Sequence, residues 1–203
     1  MSFYTGMRKI FAGPVLAIFR VRLHKTENIP SKGGLLVCPN HISAVDPVIL
    51  AAGMSNRQLR FMAKAELFKI PVISAFIKAF GAFPIKRGAG DIGAIKNTVS
   101  LLKNNESVGM FIQGTRCSGV APGRTQCRHG AGLITYRSGC DVLPVVIKTK
   151  NYKFRLFRRI DITFGEVMKY GDFGFQSGSK EEVTSCAEKI FARITELSEV
   201  EYN

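Results

Sequence analysis

The sequence predicts a single α/β domain in which helices pack on a largely parallel central sheet. Three observations support this prediction. Short apolar runs alternate with segments of helical periodicity, and polar clusters follow the ends of several runs, where parallel sheets gather their ligands. The 203 residues carry no internal repeat or long linker, which suits one domain. With 46% hydrophobic and 22% charged residues, the chain is not a disordered polar protein.

The first half of the chain alternates predicted strands and helices. An apolar run at 35–38 follows two glycines and predicts a short buried strand. Pro47 suits the first position of a helix over 47–54, because its missing N–H costs nothing there. Runs at 59–64 and 81–87 predict two more strands, with an apolar helix over 70–80 between them.

The second half continues the same alternation. Asp91 opens an amphipathic helix whose apolar face includes Ile92, Ile95, Val99 and Leu102. Strands are predicted at 107–114 and 142–149, and alternating residues predict a half-exposed strand at 160–164. Ser179 and Glu182 form a capping-box pattern before a last helix.

The formal net charge of +14 predicts an anionic partner: nucleic acid, an acidic membrane surface or a phosphorylated substrate. No window reaches the roughly 18 apolar residues that a spanning helix needs. The apolar run at 10–19 has Arg8 and Lys9 before it and Arg20 and Arg22 after it. We expect residues 1–24 to form a helical segment in the membrane interface and residues 25–203 to form the main domain. A helix docked on the core is the alternative.

The five cysteines are scattered and odd in number, and no secretory signal precedes them. Free thiols in a reducing compartment are therefore expected. Cys117, Cys127, His129 and Cys140 lack the close ligand pairs of a zinc site, so no metal is predicted.

His41 and Asp46 are the first candidate catalytic residues. Asp46 can accept a hydrogen bond from one imidazole nitrogen and leave the other free to take a proton from a substrate hydroxyl. Histidine suits this task because its unperturbed pKa of about 6.5 leaves a neutral base at cytosolic pH. A structural histidine and a helix N-cap at Asp46 are the alternatives.

Two further polar clusters follow predicted strands. Lys86 and Arg87 lie at the end of the predicted strand 81–87, where an arginine fork could hold a phosphate and a solvated strand end is the alternative. The segment 113–116 places Gly114 between Gln113 and Thr115, with Arg116 as one more cation. The basic, aromatic stretch 148–160 could stack nucleic-acid bases, but no nucleic-acid-binding fold pattern accompanies it.

The clusters occur in a recognisable order: N-H-x4-D from Asn40 to Asp46, F-P-x-x-R from Phe83 to Arg87, F-x-x-G-T-R ending at Arg116, then an apolar strand containing Pro144. This order resembles the 1-acyl-sn-glycerol-3-phosphate acyltransferases of phospholipid synthesis. The resemblance runs over most of the chain, from Leu35 to Glu166.

The resemblance implies a reaction and a role for each candidate. An acyl group would pass from an acyl thioester, acyl-CoA or acyl carrier protein, to the sn-2 hydroxyl of 1-acyl-glycerol-3-phosphate (lysophosphatidic acid), making phosphatidic acid. His41 would be the general base and Asp46 its orienter. The glycerol phosphate would be bound by Lys86, Arg87, Gln113, Gly114, Thr115 and Arg116. The pocket would be shaped or supported by Asn40, Phe83, Pro84 and Pro144.

One departure from the family pattern leaves alternatives open. The third motif usually carries proline and glutamate where this chain has Ile112 and Gln113. Glutamine keeps the size and hydrogen-bonding reach of glutamate but loses its charge. The alternatives are therefore an acyltransferase for a different lysolipid acceptor and a catalytically impaired lipid-binding relative.

The resemblance also sets the expected partners and location. No cofactor is expected, because the thioester is a co-substrate. The expected partners are an anionic membrane surface, lysophosphatidic acid and the acyl donor, with no nucleic acid. The expected location is the cytoplasmic face of the cell membrane, with peripheral or monotopic attachment.

Overall fold

The computed structural model describes residues 12–54, 57–71, 74, 77–78, 81–85 and 92–202. Its strands form one sheet in the order β1-β7-β6-β2-β5-β3-β4. The strands are β1 Val21–His24, β2 Leu35–Pro39, β3 Leu59–Lys64, β4 Phe83–Ile85, β5 Ser107–Gly109, β6 Asp141–Thr149 and β7 Ile160–Phe164. The helices include α1 Asp46–Gly53, α2 Ile92–Lys103, α3 Gly130–Ser138 and α4 Lys180–Glu199, and residues 12–18 are also helical.

The sheet is largely parallel, as the sequence predicts. β2 pairs in parallel with β5 and β6, and β3 pairs in parallel with β5 and β4. β7 runs antiparallel to β6, and β1 runs parallel to β7. Five neighbouring strands therefore end at one edge of the sheet, which we call the carboxyl edge. The single-domain α/β prediction is confirmed.

Both faces of the sheet are covered, which explains the continuous apolar run in β2. Leu35 and Val37 lie in one apolar cluster, with α1 and the partly buried Val15 and Phe19. Leu36 and Cys38 lie in the other cluster, with residues of α2, α3 and α4. A strand buried on both faces has no polar side to show in its sequence.

The N-terminal part of the sheet differs from the prediction. The prediction places residues 21–24 in the helical segment, whereas they form β1, an edge strand paired with β7. Residues 12–18 are helical, and residues 1–11 lie outside the described part. Val15 packs on the core, as the docked-helix alternative requires, while Ile18 is 51% exposed.

The predicted strand at 107–114 is too long. β5 ends at Gly109, where an added Cβ would lie 2.2 Å from a ring carbon of Phe61. Beyond it, Ile112 N–H still donates to the Pro39 carbonyl at 3.1 Å, and Gly114 N–H then closes a turn on Phe111 O at 3.0 Å. The sequence prediction misses α3, because glycines at 130 and 132 weaken its helical pattern.

The other predicted elements are found with small changes of boundary. β3 matches 59–64, α2 has the predicted apolar face, and α4 begins with the predicted Ser179–Glu182 capping box. Most of the predicted helix over 70–80 lies outside the described residues, although positions 71, 74, 77 and 78 are helical. In the described part of the chain, no helix combines the length and hydropathy needed to cross a bilayer.

Candidate active site

The candidate site begins where β2 ends at the carboxyl edge. The side-chain amide of Asn40 accepts from Ile147 N–H at 2.7 Å and donates to Ile147 O at 3.0 Å. It therefore extends the β2–β6 pairing by one residue beyond Pro39. This buried amide fixes the point at which the next residue, His41, leaves the sheet.

Asp46 organises the turn that follows His41. Its Oδ2 atom accepts hydrogen bonds from Ile42 N–H at 2.7 Å, Ser43 N–H at 2.8 Å and His41 Nδ1 at 2.8 Å. The side chain is 1% exposed. Asp46 is the first residue of α1, whose N-cap is Val45, so the helix-cap alternative is wrong. The carboxylate instead binds the N–H groups of the preceding turn, and these hold it against the imidazole.

The hydrogen bond to Asp46 orients the His41 ring through Nδ1 and leaves Nε2 without a contact to this carboxylate. Since a carboxylate can only accept, Nδ1 carries the proton, and Nε2 of the neutral ring holds the lone pair. The ring stacks on Phe111 with centroids 3.8 Å apart and planes inclined by 20°. The His41 side chain remains 12% exposed. A base in this state can accept a proton from a hydroxyl brought to Nε2.

Gln113 is turned into the protein rather than toward an open site. Its Oε1 accepts from His41 N–H at 2.7 Å, and its Nε2 donates to Thr125 Oγ1 at 2.7 Å. Thr125 Oγ1 in turn donates to Pro122 O at 2.7 Å. Gln113 is 3% exposed. This arrangement makes Gln113 a positioning residue for the His41 main chain, whereas the sequence analysis expects it to bind the acceptor.

The residues after Gln113 lie on the surface. Gly114 has φ +67, and an added Cβ would lie 3.0 Å from Cγ of Arg128, so a larger residue would be strained there. Thr115 and Arg116 are exposed. The main chain then returns to the site, because Cys117 N–H donates to the His41 carbonyl at 2.8 Å.

The second predicted motif is only partly described. Phe83 packs against the second apolar cluster, and Pro84 is exposed in β4. β4 runs in the direction of β2, so its last residue, Ile85, lies at the carboxyl edge. Lys86 and Arg87 follow in sequence and lie outside the described residues.

A basic depression of about 900 Å³ lies where β6 ends and β7 begins. The cations outnumber the carboxylates in its lining: Arg124, Lys148, Lys150, Arg158 and Arg159 against Asp161 and Glu201. The 3-10 turn at 122–124 that borders it is the turn bound by Thr125. The depression and the His41 cluster therefore share a supporting loop, and its charge favours anionic groups.

Cys117, which is bound to the His41 carbonyl, does not have an activated thiol. Partial burial raises the pKa of the Cys117 thiol, and burial likewise raises the pKa of Cys127. A thiol with a raised pKa stays protonated at neutral pH and is a weak nucleophile. Within the described residues, no group of three His, Cys, Asp or Glu side chains is arranged to hold a metal ion.

Comparison with known proteins decides the family. The model of the family described as Acyltransferase matches residues 20–148, more than half of the chain. The chain belongs to the acyltransferase family. The 1-acyl-sn-glycerol-3-phosphate acyltransferase of Bacillus subtilis (strain 168) is 31% identical over 179 residues, which cover 87% of each chain. The enzyme of the same name from Streptococcus pneumoniae is 31% identical over 97% of this chain and 74% of its own.

The fold of this acyltransferase is also that of a solved structure. The 1-acyl-sn-glycerophosphate (LPA) acyltransferase PlsC from Thermotoga maritima matches with a TM-score of 0.70 over 97% of this chain and 83% of its own. The sequence identity is 24%, so this likeness shows the fold. The predicted family and the predicted enzyme class, O-acyltransferase, are confirmed.

The structure brings together some of the predicted site residues and not others. Hydrogen bonds join His41 to Asp46 and to Gln113 at the carboxyl edge, and Asn40, the residue before His41, is bound to Ile147 of β6. Pro144 is buried inside β6, and the cavity that it borders contains no other predicted site residue in the described part of the chain. Its role in a substrate pocket stays a prediction.

The sequence analysis misses two residues that shape the site. Phe111 supplies the surface on which His41 stacks, and Thr125 anchors Gln113. Phe111 opens the third motif, so its place beside the histidine could have been proposed from the motif order. Thr125 carries no sequence signal, because it is one threonine in an irregular loop.

Proposed function

We propose that this acyltransferase moves an acyl group from an acyl thioester to the sn-2 hydroxyl of 1-acyl-glycerol-3-phosphate, which yields phosphatidic acid. The observation that carries the proposal is the His41 Nδ1–Asp46 Oδ2 hydrogen bond of 2.8 Å at the carboxyl edge. Two relatives with 31% identity carry the name of this activity, which supports the choice of acceptor. The donor is acyl-CoA or an acyl carrier protein.

The proposed reaction needs one base and no covalent acyl-enzyme. His41 Nε2 takes the hydroxyl proton while the oxygen attacks the thioester carbonyl carbon. The resulting tetrahedral intermediate collapses by breaking the C–S bond, and the imidazolium returns its proton to the departing thiolate. Asp46 stabilises the imidazolium through Nδ1 and does not itself take the proton. General-base assistance of this kind contributes about 10²–10⁴ in rate.

The phosphate-binding part of the proposal rests on charge and position. We propose Arg87, with Lys86, as the ligand of the glycerol phosphate, since both follow in sequence the strand β4, whose last residue lies at the carboxyl edge. Thr115 and Arg116 are exposed at the same edge and complete the proposed acceptor site. The basic depression beside them attracts the anionic groups of both substrates. The acceptor and product are membrane lipids, so we place the working protein on a membrane surface.

The test is an acyl-transfer assay on purified protein that crosses several lysophospholipids with acyl-CoA and acyl-carrier-protein donors. Phosphatidic acid formed from lysophosphatidic acid faster than any other product is the expected result. Transfer confined to another lysolipid would replace the acceptor, and His41→Ala with wild-type rates would overturn the mechanism.

The second candidate function, a lipid-binding relative with impaired catalysis, rests on Gln113. Glutamate at this position would compete with Pro122 O for the Thr125 hydroxyl, because a carboxylate cannot donate to it. The amide therefore fits this network, and we expect Gln113→Glu to be no faster than the wild-type protein. An undetectable wild-type rate that becomes measurable in Gln113→Glu would favour the impaired relative instead.

A further inference from the structure

Residues 153–158 form an exposed loop that the proposed reaction leaves unexplained. This loop, called the 153–158 loop below, connects a 3-10 turn at 150–152 to β7. It carries two of the most exposed large apolar side chains in the described part of the chain: Leu156 is 53% exposed and Phe157 is 65% exposed. Two adjacent apolar side chains held in water indicate a surface that binds something apolar.

The backbone holds these side chains outward at a conformational cost. Phe157 has φ +63, and Asn151 and Tyr152 have φ +57 and +51, although none of them is glycine. Such conformations persist where neighbouring contacts enforce them. Here Arg20 Nη1 donates to Phe157 O at 3.3 Å, and Gly119 N–H donates to Tyr152 O at 2.8 Å. The loop is therefore fixed in shape rather than collapsed onto the core.

Phe154, a partly buried residue of the loop, packs against the end of the N-terminal helical segment. The Phe154 ring packs against Phe19 with centroids 5.7 Å apart, and both side chains contact the first apolar cluster. Ile18, the residue before Phe19, is itself 51% exposed. The Phe154–Phe19 contact thus joins the loop to the N-terminal residues, which carry an exposed apolar side chain of their own at Ile18.

Cations surround the apolar tip. Lys153, Arg155 and Arg158 lie in the loop, and Arg20 lies against it. Among the residues that the structure describes, no carboxylate lies within ion-pair distance of any of these four side chains. An apolar centre with an unneutralised cationic border complements an anionic bilayer, in which acyl chains lie beneath phosphate headgroups.

We propose that the 153–158 loop docks on an anionic lipid bilayer, with Leu156 and Phe157 inserted among the acyl chains and the surrounding cations on lipid phosphates. Nucleic acid fits this surface less well, because the leucine at the tip offers no face on which a base can stack. The loop follows the end of β6 and therefore lies at the same edge of the sheet as His41. Docking here would turn the candidate active site toward the bilayer, an orientation whose use rests on the proposed function.

The chain contains no tryptophan, so one introduced tryptophan reports its own surroundings. The test uses Phe157→Trp, with Tyr170→Trp as the matched control. The main-chain N–H of Tyr170 donates to Asp141 Oδ1 at the start of β6, which places position 170 at the opposite edge of the sheet. Each variant is mixed with vesicles of phosphatidylcholine alone, or of phosphatidylcholine with phosphatidylglycerol. Vesicles with brominated acyl chains are also used, since bromine quenches only tryptophan within the apolar layer.

With phosphatidylglycerol vesicles, Phe157→Trp emission should shift to the blue and be quenched by brominated chains, while Tyr170→Trp emission should not change. The double variant Leu156→Ser/Phe157→Ser should partition into these vesicles at least about tenfold more weakly than the wild-type protein. Unchanged Phe157→Trp emission on vesicles that bind the protein would overturn the proposal, as would a larger shift with single-stranded DNA. The vesicles contain no lysolipid or thioester, so a failed acyl-transfer assay leaves this result unaffected.

Discussion

The described part of the chain contains two histidine–aspartate pairs with nearly the same dimensions and different surroundings. His41–Asp46 and His24–Asp161 both have a nitrogen–oxygen distance of 2.8 Å. Each ring stacks on an aromatic ring, with centroids 3.8 Å apart for His41 on Phe111 and 3.7 Å apart for His24 on Tyr202. Distance and stacking therefore do not distinguish a candidate base from a structural histidine.

The partners of each carboxylate make the distinction. Asp161 is also bound by Arg159 Nε, at 3.0 Å to Oδ1 and 2.8 Å to Oδ2, so an arginine already neutralises it. Arg159 Nη2 donates to Tyr202 O at 2.7 Å, which ties the pair to the C-terminal residues. Asp46 is bound by two uncharged main-chain N–H groups instead. Its negative charge remains available to stabilise an imidazolium on His41, and this difference favours catalysis at one pair and support at the other.

The largest expected effect separates the two histidines directly. His41→Ala should lower kcat by about 10²–10⁴, because the proposed general base is lost. His24→Ala should leave kcat unchanged and lower the melting temperature, because it removes a contact that holds the C-terminal residues. Acyl-transfer rates and thermal unfolding of both variants provide the measurement. Equal losses of activity in the two variants would remove the distinction between the pairs.

Substitution of Asp46 should lower kcat more than substitution of Asp161, as for the two histidines. Asp46→Asn should lower kcat by about 10²-fold or more, because the neutral amide stabilises the imidazolium poorly. It should also cost about 1–3 kcal/mol of stability, since Oδ1 has no partner in the described residues and an amide NH₂ there would be unpaired. The matched variant Asp161→Asn should weaken the Arg159 contact and spare kcat. Kinetics that rank these variants in the opposite order would contradict this assignment.

A smaller effect is expected from the residue that fixes the His41 main chain. Gln113→Ala leaves the His41 N–H without its acceptor, which should cost about 1–3 kcal/mol in urea unfolding. The rate should fall less than in Asp46→Asn, because the imidazole–carboxylate bond remains. An intact unfolding free energy combined with a loss of acceptor affinity would instead make Gln113 a direct substrate ligand.

The smallest effect is expected at Cys117. Cys117→Ser should keep the wild-type rate, because burial raises the pKa of this thiol and the proposed reaction forms no acyl-enzyme. Acyl transfer is measured for the wild-type protein and for Cys117→Ser, before and after treatment with a maleimide. The reagent cannot modify position 117 in the variant, because that thiol is absent. Abolished transfer in Cys117→Ser would require a covalent cysteine intermediate.

The fold was predictable where apolar periodicity is strong and local. β2, β3, α2 and α4 follow from runs and stripes that a few residues define. β1 was not predictable in this way, because its residues continue a basic and apolar stretch that suits a membrane helix equally well. β5 is shorter than its apolar run, because the main chain beyond Gly109 enters the turn that Gly114 N–H closes on Phe111 O, and the apolar run gives no sign of this turn.

In the candidate site too, local contacts could be predicted from the sequence and tertiary contacts could not. The His41–Asp46 bond spans five residues and could be predicted from one turn. The inward orientation of Gln113 depends on contacts 72 residues away at His41 and 12 residues away at Thr125, and no local pattern encodes them. Motif order predicts the candidate residues, whereas the buried position of Gln113 depends on tertiary packing.

The most direct test of the central claim is a double-mutant cycle on acyl transfer. In the proposed mechanism, Asp46 acts on the reaction through His41 alone. His41→Ala/Asp46→Asn should then be about as slow as His41→Ala, because residues that act as one unit lose their effect together. A double variant slower than His41→Ala by the full factor of Asp46→Asn would show that the two residues contribute independently, and would contradict the account.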